Sequence, residues 1–175
     1  NINKQCGALY PTEIRADVIE QKAHIGISLD GDADRVILTD EKGAIVDGDE
    51  IMVMCAIDMK ARSLLKKDTL VVTPMSNLGL HKALKKRGIT PIEAAVGDRY
   101  VVSQMREGGF NLGGEQSGHI IFGDDSTTGD GVLGALKVLE IMVRNQVPLS
   151  ELAAQMKKFP QVLKNLKITE KPDIG

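Results

Sequence analysis

What most constrains this chain is a cluster of acids set between two β-branched runs. Residues 29–36 read Leu-Asp-Gly-Asp-Ala-Asp-Arg-Val, which puts carboxylates at Asp30, Asp32 and Asp34. Acids spaced this tightly repel one another unless a cation sits among them, and hard oxygen ligands select Mg²⁺, Mn²⁺ or Ca²⁺ over softer metals. Ile25, Ile27 and Leu29 before the cluster, and Val36, Ile37 and Leu38 after it, read as buried strands. The acids therefore sit in a loop joining two strands, where Gly31 and the small Ala33 let the backbone turn. Arg35 closes the loop with a guanidinium suited to phosphate or carboxylate, and a metal beside a guanidinium serves phosphoryl chemistry.

Three other readings compete. The first is a solvated acidic turn, which the third Asp and the adjacent Gly disfavour. The second is a calcium-binding module of the EF-hand type, with Asp30, Asp32 and Asp34 in its first three ligand positions and Glu41 in the last. Arg35 stands where that loop needs Gly, and strands flank it instead of helices. The third is a phosphatase of the haloacid dehalogenase type, with Asp30 as nucleophile and Gly129-Asp130-Gly131 as a faint echo of its later acidic motif. Asp34 replaces the small residue expected there, and no second acid stands at Gly134.

A length of 175 residues at 42% hydrophobic content supports one full core and part of another. The 22 basic and 24 acidic residues are mixed, with no basic tract, and aromatics are 3% with no Trp, so nucleic acid is not an expected partner. The longest apolar run, Ile51 to Ile57, is too short to cross a bilayer, and the opening Asn-Ile-Asn-Lys lacks a signal-peptide core. Cys6 and Cys55 lie in unlike contexts with no Cys/His metal spacing. A soluble cytoplasmic protein with no membrane partner is expected. A start without Met and an end in mid-element suggest a piece of a longer protein.

Along the chain, Pro11-Thr12-Glu13 opens a helix with Ile14, Val18 and Ile19 on one face and Thr12 as N-cap. Strands at 36–39 and 44–46 flank a turn at Asp40-Glu41-Lys42-Gly43. A helix over 50–65 is apolar nearly all round at first, hence buried between layers. Strand 69–73, helix 76–87 capped by Ser76 and stopped by Gly88, strand 90–95, helix 98–106 and a short strand after Gly108-Gly109 follow in turn. Helices at 131–145, with Val132, Leu136, Leu139 and Val143 on one side, and at 150–159 complete the pattern. The alternation predicts an α/β sandwich.

Residues 113–119 read Gly-Gly-Glu-Gln-Ser-Gly-His. The carboxylate, amide, hydroxyl and imidazole of Glu115, Gln116, Ser117 and His119 suit a polyhydroxylated ligand such as a sugar, although a solvated Gly-rich turn has the same composition. Val96-Gly97-Asp98-Arg99-Tyr100 lies at a strand-to-helix junction where anions commonly bind. There Asp98 serves more simply as a helix cap, and Arg99 is the candidate for a ligand. Cap and turn chemistry accounts for Ser126-Thr127-Thr128-Gly129-Asp130-Gly131.

Taken in order, Asp30-Gly-Asp-Ala-Asp-Arg35, Asn77-Leu-Gly and Gly114-Glu-Gln-Ser-Gly-His119 resemble the α-D-phosphohexomutase superfamily over nearly the whole chain. Gln116 and the 96–100 and 126–131 stretches look most like its bacterial members that act on glucosamine phosphates. The resemblance implies a three-layer α/β/α sandwich with a mixed sheet, plus part of a second, similar domain. It divides the chain into residues 1–46, closing a metal-binding second domain, 47–160, a sugar-binding third, and 161–175, opening a fourth. It implies Mg²⁺ held by Asp30, Asp32 and Asp34 with a phosphoserine from the first domain, and Arg35 as the catalytic group that neutralises the moving phosphoryl. Glu115 and Ser117 would hold sugar hydroxyls, with His119 and Arg99 in the same pocket. The implied substrate is a hexosamine phosphate, glucosamine 6-phosphate being interconverted with glucosamine 1-phosphate through a bisphosphate, on the way to UDP-N-acetylglucosamine and cell wall; glucose or mannose phosphates are the alternatives. The superfamily's Thr-Ala-Ser-His-Asn-Pro-like nucleophile loop and its phosphate-gripping fourth-domain loop do not occur here, so this stretch alone is expected not to turn over substrate and to need the other domains of its chain.

Overall fold

The computed structural model describes residues 4–164. Helix α1 (Thr12–Glu20) begins after Pro11, and no side chain caps it, so Thr12 is its first residue and not its N-cap. It packs on strand β1 (Ile25–Leu29) at Gly26, where a Cβ would come within 2.8 Å of Val18 and 2.9 Å of Ile14. Strands β2 (Val36–Asp40) and β3 (Ile45–Val46) extend an antiparallel sheet in the order β1-β2-β3, with Leu29 opposite Val36. The expected hairpin turn is present: the Asp40 carboxylate accepts from Lys42 N (2.9 Å) and Ala44 N (2.7 Å), and Gly43 takes φ +79°.

Helix α2 (Gly48–Ala61) starts two residues before the expected position because Asp47 and Glu50 form a capping box. The Asp47 carboxylate accepts from Asp49 N and Glu50 N, while the Glu50 carboxylate accepts from Asp47 N at 3.0 Å. Every residue from Gly48 to Ala56 is buried, as the all-round apolar pattern requires.

Next come β4 (Thr69–Val72), α3 (Leu78–Lys86), β5 (Thr90–Glu93), α4 (Asp98–Gly108), β6 (Leu112–Gly114), β7 (Ile120–Phe122), α5 (Gly131–Asn145) and α6 (Leu149–Ala153). The second sheet runs β5-β4-β6-β7, parallel except for β7, so the expected mixed sheet is observed. Alternation along its strands builds three layers. Leu70, Val72, Leu112, Ile120 and Phe122 face α2, α3, α5 and α6 in the main core, whereas Val71 and Ile121 face Val101 and Met105 of α4. Val36, Leu38 and Val46 of the first sheet join the main core, so one continuous apolar cluster carries both sheets.

Several local expectations are corrected. Asn77, not Ser76, caps α3, its Oδ1 accepting from Gly79 N at 2.9 Å. At α4 the N-cap position belongs to Gly97, and Asp98 lies within the first turn. On α5, Val132, Leu136 and Val143 are exposed (49, 57 and 76%), while Gly131, Gly134, Ala135, Val138 and Ile141 face inward. The helix approaches the first sheet through its small residues: a Cβ on Gly134 would sit 3.2 Å from Val36. The last helix ends at Ala153, short of the expected 159, and Phe159 is held by Asn77 instead: Asn77 Oδ1 accepts from Phe159 N (2.9 Å) and Asn77 Nδ2 donates to Phe159 O (2.8 Å). Of the 161–175 segment assigned to a further domain, residues 165–175 lie outside the described residues.

Candidate functional site

The acid loop closes the open end of β1 and β2, so strands and not helices flank it, which removes the EF-hand reading. Asp30 organises the loop: its carbonyl accepts from Ala33 N at 3.2 Å and its Oδ1 from Arg35 N at 3.2 Å. Ala33, not Gly31, takes the left-handed conformation, with φ +59°. For an L-residue this costs on the order of 1–2 kcal/mol. The result is convergence, since one oxygen from each of Asp30, Asp32 and Asp34 lies within 4.8 Å of the others.

An octahedral Mg²⁺ binding oxygens at about 2.1 Å sets its ligands roughly 3–4.2 Å apart, so the three carboxylates reach an ion with small rotamer adjustments. The donor set fits a hard cation for a second reason. Asp34 Oδ1 is shielded from solvent and accepts no hydrogen bond. Burial, and then the facing Asp30 carboxylate, push the Asp34 carboxyl above its ordinary value. Arg35 supplies a nearby positive charge, its Nε 3.8 Å from Asp30 and 3.9 Å from Asp34, and that Nε also makes no hydrogen bond.

The 113–119 loop is attached directly to the acid loop. Arg35 and His119 form an antiparallel bridge, and Val36 N donates to Gly118 O at 3.1 Å. Gly118 makes this approach possible: it holds φ +94°, and a Cβ there would lie 2.2 Å from Val36 O. From below, Gly48 at the start of α2 donates to Gln116 O (3.1 Å), with Glu115 O only 2.3 Å from where a Gly48 Cβ would stand. Glu115 Oε1 accepts from Gly97 N at 3.0 Å and so ties in the 96–100 stretch.

These contacts shape a cleft of ≈ 330 Å³ lined by Thr73, Met75, Val96, Glu115, Gln116 and Ser117. Of the residues singled out for a sugar, Glu115 and Ser117 face this cleft. Arg99 is exposed and folds onto Tyr100, 4.5 Å from its ring, and does not line the cleft. His119 is 3% exposed, and its Nδ1 lies 3.0 Å from Asp34 Oδ2, so the structure groups it with the acids. Sequence reasoning missed the close approaches at Gly118 and Gly48. A Gly beside each polar cluster was the only sequence signal, and it does not say which neighbour comes near.

The family model for phosphoglucomutase/phosphomannomutase, alpha/beta/alpha domain III, matches residues 47–159. The phosphoglucosamine mutase of Pelobacter propionicus is 59% identical over 174 residues, covering 99% of this chain and 38% of that protein. The chain thus spans little more than a third of the length of the curated relatives it matches. A phosphoglucomutase/phosphomannomutase family protein from Burkholderia thailandensis superposes with a TM-score of 0.76 at 25% identity, over 89% of this chain and 33% of that one. An Aspergillus fumigatus N-acetylphosphoglucosamine mutase, solved in complex with GlcNAc-6P and magnesium, superposes with a TM-score of 0.66 at 22% identity, over 90% of this chain and 38% of that one. With its sandwich matched over most of its length, the chain belongs to the phosphoglucomutase/phosphomannomutase family of the α-D-phosphohexomutase superfamily.

Proposed function

We propose that this chain is the metal- and sugar-binding part of a cytoplasmic phosphoglucosamine mutase, which interconverts glucosamine 6-phosphate and glucosamine 1-phosphate. The observation that carries the reading is the backbone bridge between Arg35 and His119, which fixes the acid loop to the loop that brings Glu115, Gln116 and Ser117 to the cleft. The name of the 59% identical relative supports the choice of substrate, and the magnesium and GlcNAc-6P in the Aspergillus structure support the pairing of ion and sugar phosphate. Residues 1–46 are then the end of a metal-binding domain, 47–160 a sugar-binding domain, and 161–175 the opening of the next.

In this reading Asp30, Asp32 and Asp34 hold Mg²⁺, which when bound neutralises charge on a transferring phosphoryl group. Arg35, fixed between two of those acids, adds a second positive charge beside the phosphate. Glu115 accepts hydrogen bonds from sugar hydroxyls while its other oxygen stays on Gly97 N, so the acceptor is positioned by a group that cannot swing away. Ser117, exposed at the cleft mouth, adds a hydroxyl contact, and Arg99 reaches the substrate only by leaving Tyr100. The remaining domains of the parent supply the phosphorylated serine.

The test is a coupled mutase assay on the full-length parent with glucosamine, glucose and mannose 6-phosphates, Mg²⁺ and the matching bisphosphates. Preference for the glucosamine ester is expected, together with loss of turnover on Arg35→Ala. Equal or better turnover of the glucose or mannose ester would overturn the substrate assignment. The isolated chain is expected to show none.

A further inference from the structure

We infer that Asn77 and Gln161 are positioning residues of the sugar cleft, which they frame without lining it; this rests on the cleft reading above. The Asn77-Leu78-Gly79 stretch singled out in the sequence finds its use here. Asn77 is 4% exposed, and both ends of its amide are engaged. Its Oδ1 accepts from two backbone N–H groups, those of Gly79 and Phe159, each at 2.9 Å, and an N–H can only donate, so the amide has one orientation. Its Nδ2 then donates to Phe159 O at 2.8 Å and to Gln161 Oε1 at 3.2 Å. That second bond turns the Gln161 amide so that its Nε2 donates to Met75 O at 2.9 Å, and Met75 is part of the cleft wall. Gly79 admits the segment, because a Cβ there would fall 2.2 Å from Lys157 O.

The same segment is fastened on its other side to the helix that supports the polar loop. Lys158 Nζ lies 2.7 Å from Glu50 Oε2 and 3.1 Å from Asp47 Oδ2, the two carboxylates of the α2 capping box. One residue past Asp47, Gly48 N holds Gln116 O. Asn77 N reaches the same turn of α2, donating to the buried Asp49 Oδ2 at 2.7 Å. Residues 157–161 thus tie together the two walls of the cleft, the 73–77 turn directly and the 113–119 loop through the start of α2. Gln161 heads the stretch assigned above to the next domain, so the cleft of one domain is braced by the first side chain of the next.

The experiment measures mutase kinetics of the full-length parent with glucosamine 6-phosphate as the varied substrate. Gln161→Glu keeps the acceptor for Asn77 but sets an oxygen against Met75 O, and Asn77→Asp keeps the acceptor for Gly79 and Phe159 but loses both donors. Each should raise KM about 3–10-fold with kcat within about twofold of wild type, the pattern of binding lost equally from ground and transition states. A role in stability alone would lower the folded fraction, and so the apparent kcat, at unchanged KM. Lys157→Ala is the control: the side chain is exposed, the residue meets Gly79 through its backbone, and both constants should stay at wild-type values. Should Asn77→Asp fail to fold, Gln161→Glu at its exposed position still decides the matter. Unchanged KM in Gln161→Glu, or the same rise in Lys157→Ala, would overturn the inference and leave the cleft reading intact. Where the wild type prefers the glucose or mannose ester, the same rise is expected on that ester. A wild-type parent that turns over none of the three would overturn both.

Discussion

Replacing Gly118 by Ala tests whether the two loops are joined as described. The new Cβ would stand 2.2 Å from Val36 O, a backbone atom that cannot rotate aside, and the residue would have to hold φ +94°. Strained backbone of this kind costs roughly 1–3 kcal/mol. Relieving the clash means giving up the bond from Val36 N to Gly118 O, worth about 0.5–1.5 kcal/mol net. Together the loss is about 2–4 kcal/mol, a large share of the ~5–15 kcal/mol that holds a domain folded. For a chain of this size each kcal/mol lowers Tm by roughly 2–4 °C, so thermal denaturation should show a fall on the order of 5–15 °C. Gly123→Ala is the matched control: its Cβ would meet the flexible end of Met105 at 3.3 Å, and a fall of no more than about 3 °C is expected, within the usual range for tolerated Gly-to-Ala changes. A Gly118→Ala protein melting within a degree of wild type would refute the reasoning.

Three further outcomes follow from the same contacts. Ala33 holds φ +59°, so Ala33→Gly should match or exceed wild-type stability while Ala33→Val loses about 1–3 kcal/mol in denaturant melts; Val as stable as Ala would contradict the strained loop. Burial raises the Asp49 carboxyl to about 6, against the opposing Asn77 N–H bond and with help from Asp47. The native state therefore holds a proton that the unfolded state releases between pH 4 and 6, and stability falls as pH rises through that window, by on the order of 3 kcal/mol from this group. Asp49→Asn should flatten that part of the pH–stability curve, and an unchanged curve would contradict the burial argument. Cys55 is buried at 1% exposure with its thiol pushed up to about 12, so iodoacetamide should label it only on unfolding, as peptide mapping would reveal.

The parts of this molecule written in local chemistry were legible before any coordinates. Short β-branched runs placed β1, β2 and β4, although β1 is not the buried strand its Ile25, Ile27 and Leu29 suggest: Gly26 and Ser28 face inward and Ile27 is exposed, because α1 packs on the strand at Gly26. The all-round apolar stretch from Ile51 marked a buried helix, and three acids in one turn marked their own convergence. What required the structure was set by partners distant in sequence. The apolar stripe of Val132, Leu136 and Val143 suggests an inward face on α5, yet Gly134 and Ala135 face inward because only small residues permit the helix its distance from Val36. Ser76 and Asn77 are equally good caps on paper, and Asn77 prevails because its amide also binds Phe159, 82 positions away. His119 reads as a ligand-facing polar group beside Ser117, but strand β7 begins one residue later and turns its ring toward Asp34.

The hydrogen-bonded seam between Val36 and Gly118 has a consequence for engineering. Grafting either loop alone from a homologue brings half of a matched pair of edges, and the spacing between carboxylates and cleft would be lost even if every side chain were right. A productive chimera must exchange residues 30–36 and 113–119 as a unit, together with the glycine beneath them at position 48. The placement of the acid loop against the 113–119 loop is a property of the backbone ladder and not of the side chains it carries.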